Sequence, residues 1–118
     1  MNRPTLDQLF AAIDSRDADR FASFLTEDGS FIYGSNPAVA GRAAVRNFVA
    51  GFFGQLKGLR HSVEKIWEHP GELLMRGTVT YTLPNDRVVA VPFVNVFTLA
   101  GDKIRTYEVF VDPTPMSG

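Results

Sequence analysis

The sequence has 118 residues, including ten phenylalanines, three tyrosines and one tryptophan, and it has no cysteine. Its twelve basic and thirteen acidic residues nearly balance, which gives no electrostatic basis for binding nucleic acid or an anionic membrane. The lack of cysteine excludes disulfides, thiolate catalysis and cysteine-based zinc sites. We expect a single domain over residues 1–118, with a bulky aromatic core or an aromatic-lined cavity.

The N-terminal residues do not have the composition of a targeting segment. Asp7, Gln8 and Asp14 interrupt every apolar run near the start, so the apolar core of a signal peptide is absent. Elsewhere no run approaches the roughly 18 apolar residues that a membrane span needs. We therefore expect a soluble cytoplasmic protein.

Helical spacing dominates the first half of the sequence. Thr5 and Gln8 fit a capping box, and the apolar residues that follow recur at helical spacing as far as Leu25, with a break at 14–17. This pattern predicts two short helices or one kinked helix. A further helix is predicted over 42–56, ending before Gly58, on the apolar residues Val45, Phe48, Val49, Phe52, Phe53 and Leu56.

The second half of the sequence has strand-like alternation. Between the helices we predict a turn at 27–30, a short strand at 31–33 and a loop at 34–41. After residue 58 short turns separate four strands, which indicates an antiparallel meander. Helices followed by strands predict an α+β domain, with a C-terminal tail at 112–118. The four strands are predicted at 60–68, 72–83, 87–99 and 103–111.

The strand at 87–99 is apolar on both faces, and it contains one buried-type carboxamide, Asn95, within "VPFVNVFTL". Helices can cover only one face of the sheet, so something else must cover the other, because large apolar patches are rarely left in water. We predict a homodimer through the sheet.

The order of these elements resembles the nuclear transport factor two-like superfamily, and within it the SnoaL-like, polyketide-cyclase-like branch. Three stretches carry the resemblance: "FLTEDGSFI", "GRAAV" from Gly41 to Val45, and "GDKIRTYEVFVDP" near the end. The resemblance covers essentially the whole sequence. It implies a cone-shaped α+β barrel whose bent sheet wraps around a cavity closed by the helices.

The superfamily includes ketosteroid isomerases, limonene epoxide hydrolases, scytalone dehydratases and polyketide cyclases, which place acid–base groups on strands facing the cavity. By this resemblance the general base of the isomerases falls on Tyr33 here. Their oxyanion-binding aspartic acid, a carboxylic acid kept neutral so that it can donate a hydrogen bond, falls on Asn95. The last-strand aspartate of the cyclases falls on Val109, with Glu108 one residue away.

The epoxide hydrolase pattern is also incomplete. Its arginine and two aspartates correspond to Arg76, Thr78 and Val109, so only the arginine is present. Its water-holding tyrosine and asparagine correspond to Phe31 and Tyr33. None of the carboxylate sets implied by the resemblance is therefore intact.

The residues themselves suggest an alternative polar set. Strand parity and the resemblance place Phe93, Asn95 and Phe97 toward the cavity, where Asn95 either binds a ligand oxygen or satisfies an internal partner. His61 is either a general acid–base or a strand-end histidine bonded to a carboxylate. With His69 in a turn, two histidines do not make a metal site, and no metal or other cofactor is expected.

Three further side chains are candidates for substrate binding. Arg76 either supplies charge to a substrate or forms an ion pair with Glu64, Glu72 or Glu108. Tyr33 and Tyr107 either offer hydroxyls to a ligand or only pack in the core. Asp112 is expected to cap local backbone. The lining of the cavity is predicted to include Phe31, Phe93 and Val109.

These observations favour a protein that binds a small hydrophobic molecule bearing a carbonyl or hydroxyl group. The chemistry would be cofactor-free isomerisation, dehydration or cyclisation, with His61 as acid–base, Asn95 with Tyr33 or Tyr107 polarising an oxygen, and Arg76 supplying charge. The alternative is a non-catalytic ligand-binding or dimerisation module of the same fold, which the missing carboxylates favour.

Overall fold

The computed structural model describes residues 1–117, and its helices and strands follow the predicted order, except that the predicted loop at 34–41 contains a further two-residue strand. The helices are α1 (Arg3–Asp14), α2 (Ala18–Ala22) and α3 (Arg42–Phe53), with a 3-10 turn at Thr114–Met116. The strands are β1 (Leu25–Tyr33), β2 (Val39–Ala40), β3 (Gly58–His69), β4 (Glu72–Thr82), β5 (Val88–Ala100) and β6 (Lys103–Val111).

All six strands form one sheet in the order β2-β1-β6-β5-β4-β3. Strands β3 to β6 make the predicted antiparallel meander, while β1 pairs in parallel with β6. The sheet is cone-shaped and open, with β2 and β3 at its two edges. The predicted α+β class and the meander are confirmed.

The start of α1 differs from the predicted capping box. The N-cap is Asn2, whose side-chain oxygen accepts a hydrogen bond from the Thr5 backbone nitrogen at 2.9 Å. Asparagine is among the strongest N-cap residues, and Pro4 is suited to the first helical turn, where its missing N–H costs nothing. Together they move the helix start to Arg3, so Thr5 lies inside the first turn.

Strand β1 is longer than predicted and contains a large bulge. Leu25 pairs with Ile104 but Ser30 already pairs with Thr106, so the intervening residues, including Gly29, bulge out of the ladder. The acidic residues and the glycine in this bulge have the composition of a turn, which is why the sequence predicts a turn at 27–30. The predicted continuation of α2 to Leu25 is therefore wrong, because Leu25 begins β1.

Helix α3 begins after Gly41, whose φ of +95° is a conformation that favours glycine, and it ends at Phe53 with Gly54 as its C-cap. The predicted end at Leu56 and the role of Gly58 as a helix-terminating residue are wrong. Gly58 instead starts β3, opposite Thr82 of β4.

The sheet has a buried inner face that packs on the helices. On β5 the inner residues include Phe93, Asn95 and Phe97, as strand parity predicts, and each is at most 3% exposed. The inner face also requires Gly77 on β4, because a Cβ there would overlap the Ser62 carbonyl oxygen. This close approach lies beside a bulge in β3 after Val63.

Candidate functional site

A cavity of about 50 Å³ lies between the inner face of the sheet and helices α1, α2 and α3. That volume has room for a few water molecules, whereas an engineered cavity of about 150 Å³ holds benzene. Phe48 of α3 lines the cavity and is 37% exposed, so its ring extends from the cavity to the surface. The polar residues that line the cavity are Tyr33, His61, Tyr81, Asn95 and Tyr107.

His61 is held by the carboxylate of Asp14, which is not among the predicted site residues. Its Nδ1 lies 2.8 Å from Oδ1 of Asp14, the last residue of α1. The backbone nitrogen of His61 also donates to both carboxylate oxygens of Asp14, at 3.1 and 3.0 Å. The carboxylate therefore fixes both the ring and the strand that carries it.

This pairing determines which nitrogen of the histidine can react. With Nδ1–H donating to Asp14, a neutral His61 ring keeps its lone pair on Nε2. Among residues 1–117 no hydrogen-bond partner is found for Nε2, and the His61 ring lines the cavity. An oriented imidazole with one free nitrogen is the arrangement that a general base requires.

Two phenylalanines hold the imidazole from its sides. The Phe10 ring of α1 lies 5.1 Å from the His61 ring, and the Phe93 ring of β5 lies 5.2 Å away in an edge-to-face arrangement. His61 is consequently mostly buried, and its side chain is 12% exposed. Packing and the Asp14 hydrogen bond together restrict the ring to one orientation.

Apart from the tyrosines, Asn95 is the only polar residue in the buried core of residues 1–117, and it is 1% exposed. Its Nδ2 donates to the Tyr107 hydroxyl over a long 3.5 Å, and its Oδ1 is buried without a partner in the same residues. A buried acceptor without a hydrogen bond costs about 1–3 kcal/mol. The amide nitrogen of Asn95 therefore has an internal partner, whereas the amide oxygen has none in the same residues, and ligand binding by Asn95 stays a prediction.

The tyrosines on the inner face remain protonated well into the alkaline range. Burial raises the pKa of Tyr107, and the negative charge of Asp14 raises it further. Burial also raises the pKa of Tyr33 and of Tyr81, and these two hydroxyls lie 2.9 Å apart. The three hydroxyls therefore act as hydrogen-bond donors at neutral pH.

The predicted site residues fall on two sides of the sheet. The structure brings together His61, Asn95 and Tyr33 with the predicted lining residues Phe31, Phe93, Tyr107 and Val109, all around one cavity. Arg76 is the exception.

The expectation that Arg76 supplies charge to the site is wrong. Inward positions on β4 are taken by Met75 and Gly77, so strand alternation turns Arg76 to the exposed outer face. The alternative ion pairs of Arg76 with Glu64, Glu72 or Glu108 are also not formed within residues 1–117.

Two carboxylates near the end of the sequence lie away from this site. Glu108 follows strand parity away from Tyr107 and Val109, as predicted. Asp112 accepts a hydrogen bond from the Thr114 backbone nitrogen at 3.0 Å, and its hydrogen bonds with the side chain and backbone of Thr114 lower its pKa. It caps local backbone, as predicted.

Sequence reasoning missed Asp14 and Tyr81 as members of the site. Asp14 lies four residues after Phe10, so it continues the buried stripe of α1. A carboxylate at a helix C-terminus is also disfavoured by the helix dipole unless a partner compensates for it. These two features together could have predicted that Asp14 pairs with a histidine.

The part of the chain that the structure describes has no helix that is both long enough and apolar enough to span a membrane. Curated proteins offer no match to the sequence.

Solved structures with the same fold are numerous. A protein assigned as a SnoaL-like polyketide cyclase from Jannaschia sp. CCS1 is 24% identical, with a TM-score of 0.83 over 96% of this chain and 86% of that one. An NTF2-like protein of unknown function from Burkholderia pseudomallei K96243 is 19% identical, with a TM-score of 0.85 over 96% and 92%. TerC, co-crystallised with polyporic acid, is 19% identical, with a TM-score of 0.83 over 96% and 92%.

These likenesses establish the fold, and the sequence itself establishes the family. The model of the SnoaL-like domain matches residues 6–107, which include all of β1 to β5 and both residues of the Asp14–His61 pair. The protein therefore belongs to the SnoaL-like domain family.

Proposed function

We propose that the cavity binds a small hydrophobic carbonyl compound and catalyses proton transfer at the carbon next to the carbonyl group, without a cofactor. The observation that carries this proposal is the Asp14–His61 pair, because His61 lines an aromatic cavity and its Nε2 has no partner within residues 1–117. Isomerisation, dehydration and aldol-type cyclisation can all begin with this one step, so the proposal covers all three.

In the proposed step His61 Nε2 removes a proton from the carbon next to the carbonyl. The electron pair of the broken C–H bond forms a C=C bond, and the carbonyl π electrons move onto oxygen to give an enolate. The Tyr107 hydroxyl, kept protonated by burial, donates a hydrogen bond to that oxygen. Asp14 stabilises the imidazolium that forms, and the imidazolium later returns the proton to another atom of the product.

The site differs from the carboxylate sets that the resemblance implies, because its base is a histidine rather than an aspartate. A histidine oriented by a carboxylate can fill the same role, since its free nitrogen can accept a proton from the substrate. The similarity to a protein assigned as a polyketide cyclase, and to one crystallised with polyporic acid, agrees with a cyclic carbonyl-bearing ligand. A ring-sized ligand needs more space than about 50 Å³, so its entry requires the Phe48 and Phe52 rings to move.

Deuterium exchange tests the proposed step directly. The protein is incubated in D₂O buffer with acetophenone, 2-hydroxyacetophenone or cyclohexenone, and the loss of the proton signal next to the carbonyl is followed by ¹H NMR. We expect wild type to exceed buffer in rate for at least one of these ketones. His61→Ala should lower that rate by about 10²- to 10⁴-fold, the usual contribution of a general base.

Matched variants separate the base from its partner. Asp14→Asn leaves the ring in place but no longer favours the reactive tautomer, and should lower the rate by at least about tenfold. His69→Ala, which removes an exposed histidine at the end of β3, should leave the rate unchanged. Binding of the ketones without any catalysed exchange would instead favour the alternative, a non-catalytic ligand-binding module.

We also propose that two copies of the protein pair through the outer face of the sheet. That face carries an apolar patch, defined here as the outer patch, on neighbouring strands β3 to β6. Trp67 is 42% exposed, Val94 37% and Phe110 52%. The outer patch consists of Trp67, Leu74, Val94, Val96 and Phe110, which the strand register places side by side.

The charges around the outer patch suit a second copy of the same surface. Arg76 lies beside Val94 on one side of β5, and Glu108 lies beside Val96 on the other side. A two-fold axis that crosses β5 between Val94 and Val96 would place Arg76 opposite the partner's Glu108, and the reverse pair would form by symmetry. The dimer would therefore contain two equivalent ion pairs.

Sedimentation velocity tests this arrangement with a charge exchange. Arg76→Glu and Glu108→Arg should each weaken the dimer, because each places like charges opposite one another. The double variant restores the opposite-charge pairs and should recover most of the affinity. A monomer at all concentrations, or a double variant no better than the single variants, would contradict the proposal.

A further inference from the structure

Asn95 belongs to the lining of the cavity, and its amide oxygen is a buried acceptor without a hydrogen-bond partner in residues 1–117. Its Nδ2 is directed to the Tyr107 hydroxyl at 3.5 Å, while Oδ1 is buried and has no partner in the described part of the chain. The buried side chain lines the cavity. A ligand group that donates a hydrogen bond, such as a hydroxyl, would satisfy this oxygen.

The neighbouring Tyr107 offers a hydrogen-bond donor, whereas the Asn95 oxygen is an acceptor. Its oxygen accepts from Asn95, so its own proton is available to a ligand, and within residues 1–117 no acceptor for that proton is found. Burial keeps this hydroxyl protonated, because it raises the pKa of Tyr107. A carbonyl oxygen is the natural acceptor for it, and the proposed enolate oxygen would bind it more strongly still.

Donor and acceptor lie side by side because the two residues share the amide–hydroxyl contact. Asn95 and Tyr107 also sit on adjacent strands, with Asn95 opposite Val109 and Tyr107 opposite Phe97 in the ladder. A ligand that satisfies both groups must therefore carry a carbonyl and a hydroxyl close together. A simple ketone would satisfy Tyr107 and leave the Asn95 oxygen without a partner.

We infer that the ligand is an α-hydroxycarbonyl compound, with its carbonyl oxygen on the Tyr107 hydroxyl and its neighbouring hydroxyl on Asn95 Oδ1. This inference rests on the proposed function and specifies the substrate class of the same site. The hydrophobic part of the ligand would contact the cavity rings of Phe31, Phe48 and Phe52.

The expected reaction of such a ligand is a ketol isomerisation through an enediol. His61 Nε2 removes the proton from the hydroxyl-bearing carbon, and the electrons of that C–H bond form the C=C bond while the carbonyl becomes an enolate oxygen. The hydroxyl proton then moves to the enolate oxygen. The imidazolium returns its proton to the former carbonyl carbon as the other oxygen becomes the carbonyl, so no atom or electron is gained or lost.

A series of three ligands tests this inference on the wild-type protein. Binding of 2-hydroxyacetophenone, 2-methoxyacetophenone and acetophenone is measured by isothermal titration or by NMR shift titration. The methoxy compound keeps the second oxygen but lacks the donor proton. We expect the hydroxy compound to bind about tenfold or more tightly than either of the others, because only it satisfies the buried acceptor.

Variants test which residue causes the preference for the hydroxy compound. Asn95→Leu is close in volume and should bind the three compounds alike, whereas Tyr107→Phe should weaken all three together because it removes the donor to the carbonyl. His69→Ala serves as the control and should keep the wild-type preference. Circular dichroism of each variant establishes that it is folded before binding is compared.

The outcomes distinguish this inference from the proposed function. Equal affinity for the hydroxy and methoxy compounds, tighter binding of the methoxy compound, or no binding of any of the three would overturn the inference. Deuterium exchange on acetophenone that needs His61 but shows no hydroxyl preference would overturn the inference while supporting the proposed proton transfer. A hydroxyl preference without exchange would support the inference as a binding specificity and refute the catalysis.

Discussion

The two faces of the sheet place polar and apolar residues in opposite ways. On the inner face of β3, β5 and β6, a few polar groups sit within aromatic rings: His61, Asn95 and Tyr107. On the outer face, apolar side chains such as Val94 and Phe110 lie exposed among charged residues. Because side chains alternate along a strand, one stretch of sequence specifies both surfaces. The polar residues on the apolar inner face mark the candidate site, and the exposed apolar residues on the charged outer face mark the proposed dimer interface.

The largest difference between the faces is expected from two phenylalanines. Phe97 is fully buried on the inner face, whereas Phe110 is 52% exposed on the outer face. Phe97→Ala should lower the free energy of unfolding by about 3–5 kcal/mol. Phe110→Ala should change it by less than about 1 kcal/mol when urea denaturation is measured at concentrations where the protein is monomeric. Similar losses at both positions would show that the outer ring is packed in the monomer.

Two glycines give the next comparison. Gly77→Ala would force a methyl group onto the Ser62 carbonyl and should destabilise the protein by about 1–3 kcal/mol. Gly51, in α3, has no neighbouring atom within 4 Å of a built Cβ, so Gly51→Ala should stabilise the protein by about 0.5–1 kcal/mol. Thermal denaturation of both variants checks the signs. A neutral Gly77→Ala would mean that β3 can shift without cost.

The three tyrosines of the sequence all line the cavity, and this predicts a loss of stability at alkaline pH. Their folded pKa values lie above the ordinary value of 10.0, so the unfolded chain loses these protons first. The contribution of the tyrosines to stability should be constant below about pH 10 and fall above it, by at most about 1.4 kcal/mol per pH unit for each of Tyr81 and Tyr107.

Urea denaturation between about pH 8 and pH 11.5 measures this slope. Tyr81→Phe removes one of the titrating groups, so the slope of that variant should be shallower than that of wild type. Identical slopes would show that Tyr81 ionises equally in both states, which its burial argues against.

The smallest effect is expected from Asn95 itself. Asn95→Leu removes a buried acceptor without a partner, so it should leave the free energy of unfolding unchanged or raise it by up to about 1 kcal/mol. Val94→Asn places the same carboxamide on the outer face, where water satisfies it, and should change monomer stability by less than about 0.5 kcal/mol. A loss of several kcal/mol in Asn95→Leu would show that the amide is needed for folding.

Much of the architecture could be predicted because the strands β3 to β6 are joined by short turns and alternate clearly. The alternation places Phe93, Asn95 and Phe97 on one face of β5, and the resemblance identifies that face as the inner one, as the structure has it. The bulge in β1 could not be predicted in this way, since its acidic residues and Gly29 have the composition of a turn. Pairing with β6, near the other end of the sequence, keeps this segment extended. The residues of the segment itself do not indicate that this pairing forms.

The site is predictable to the extent that strand parity specifies it. Parity places His61 and Asn95 on one wall, but it cannot bring Asp14 to His61, because those residues are 47 positions apart and meet only when α1 packs on β3. The resemblance assigns Arg76 to the site, although its own parity on β4 turns it outward. A residue that matches a family motif therefore belongs to the site only when strand alternation also turns its side chain toward the site.

The parallel pairing of β1 with β6 has a consequence for how the protein forms. Strand β6 is synthesised after the other five strands, yet it lies between β1 and β5 in the sheet. A nascent chain that lacks β6 can form the hairpins of β3, β4 and β5, but it cannot pair these strands with β1 in the sheet. Completion of the sheet thus awaits synthesis of β6, and premature termination before Lys103 would leave β1 and β5 unpaired with each other and with exposed strand edges.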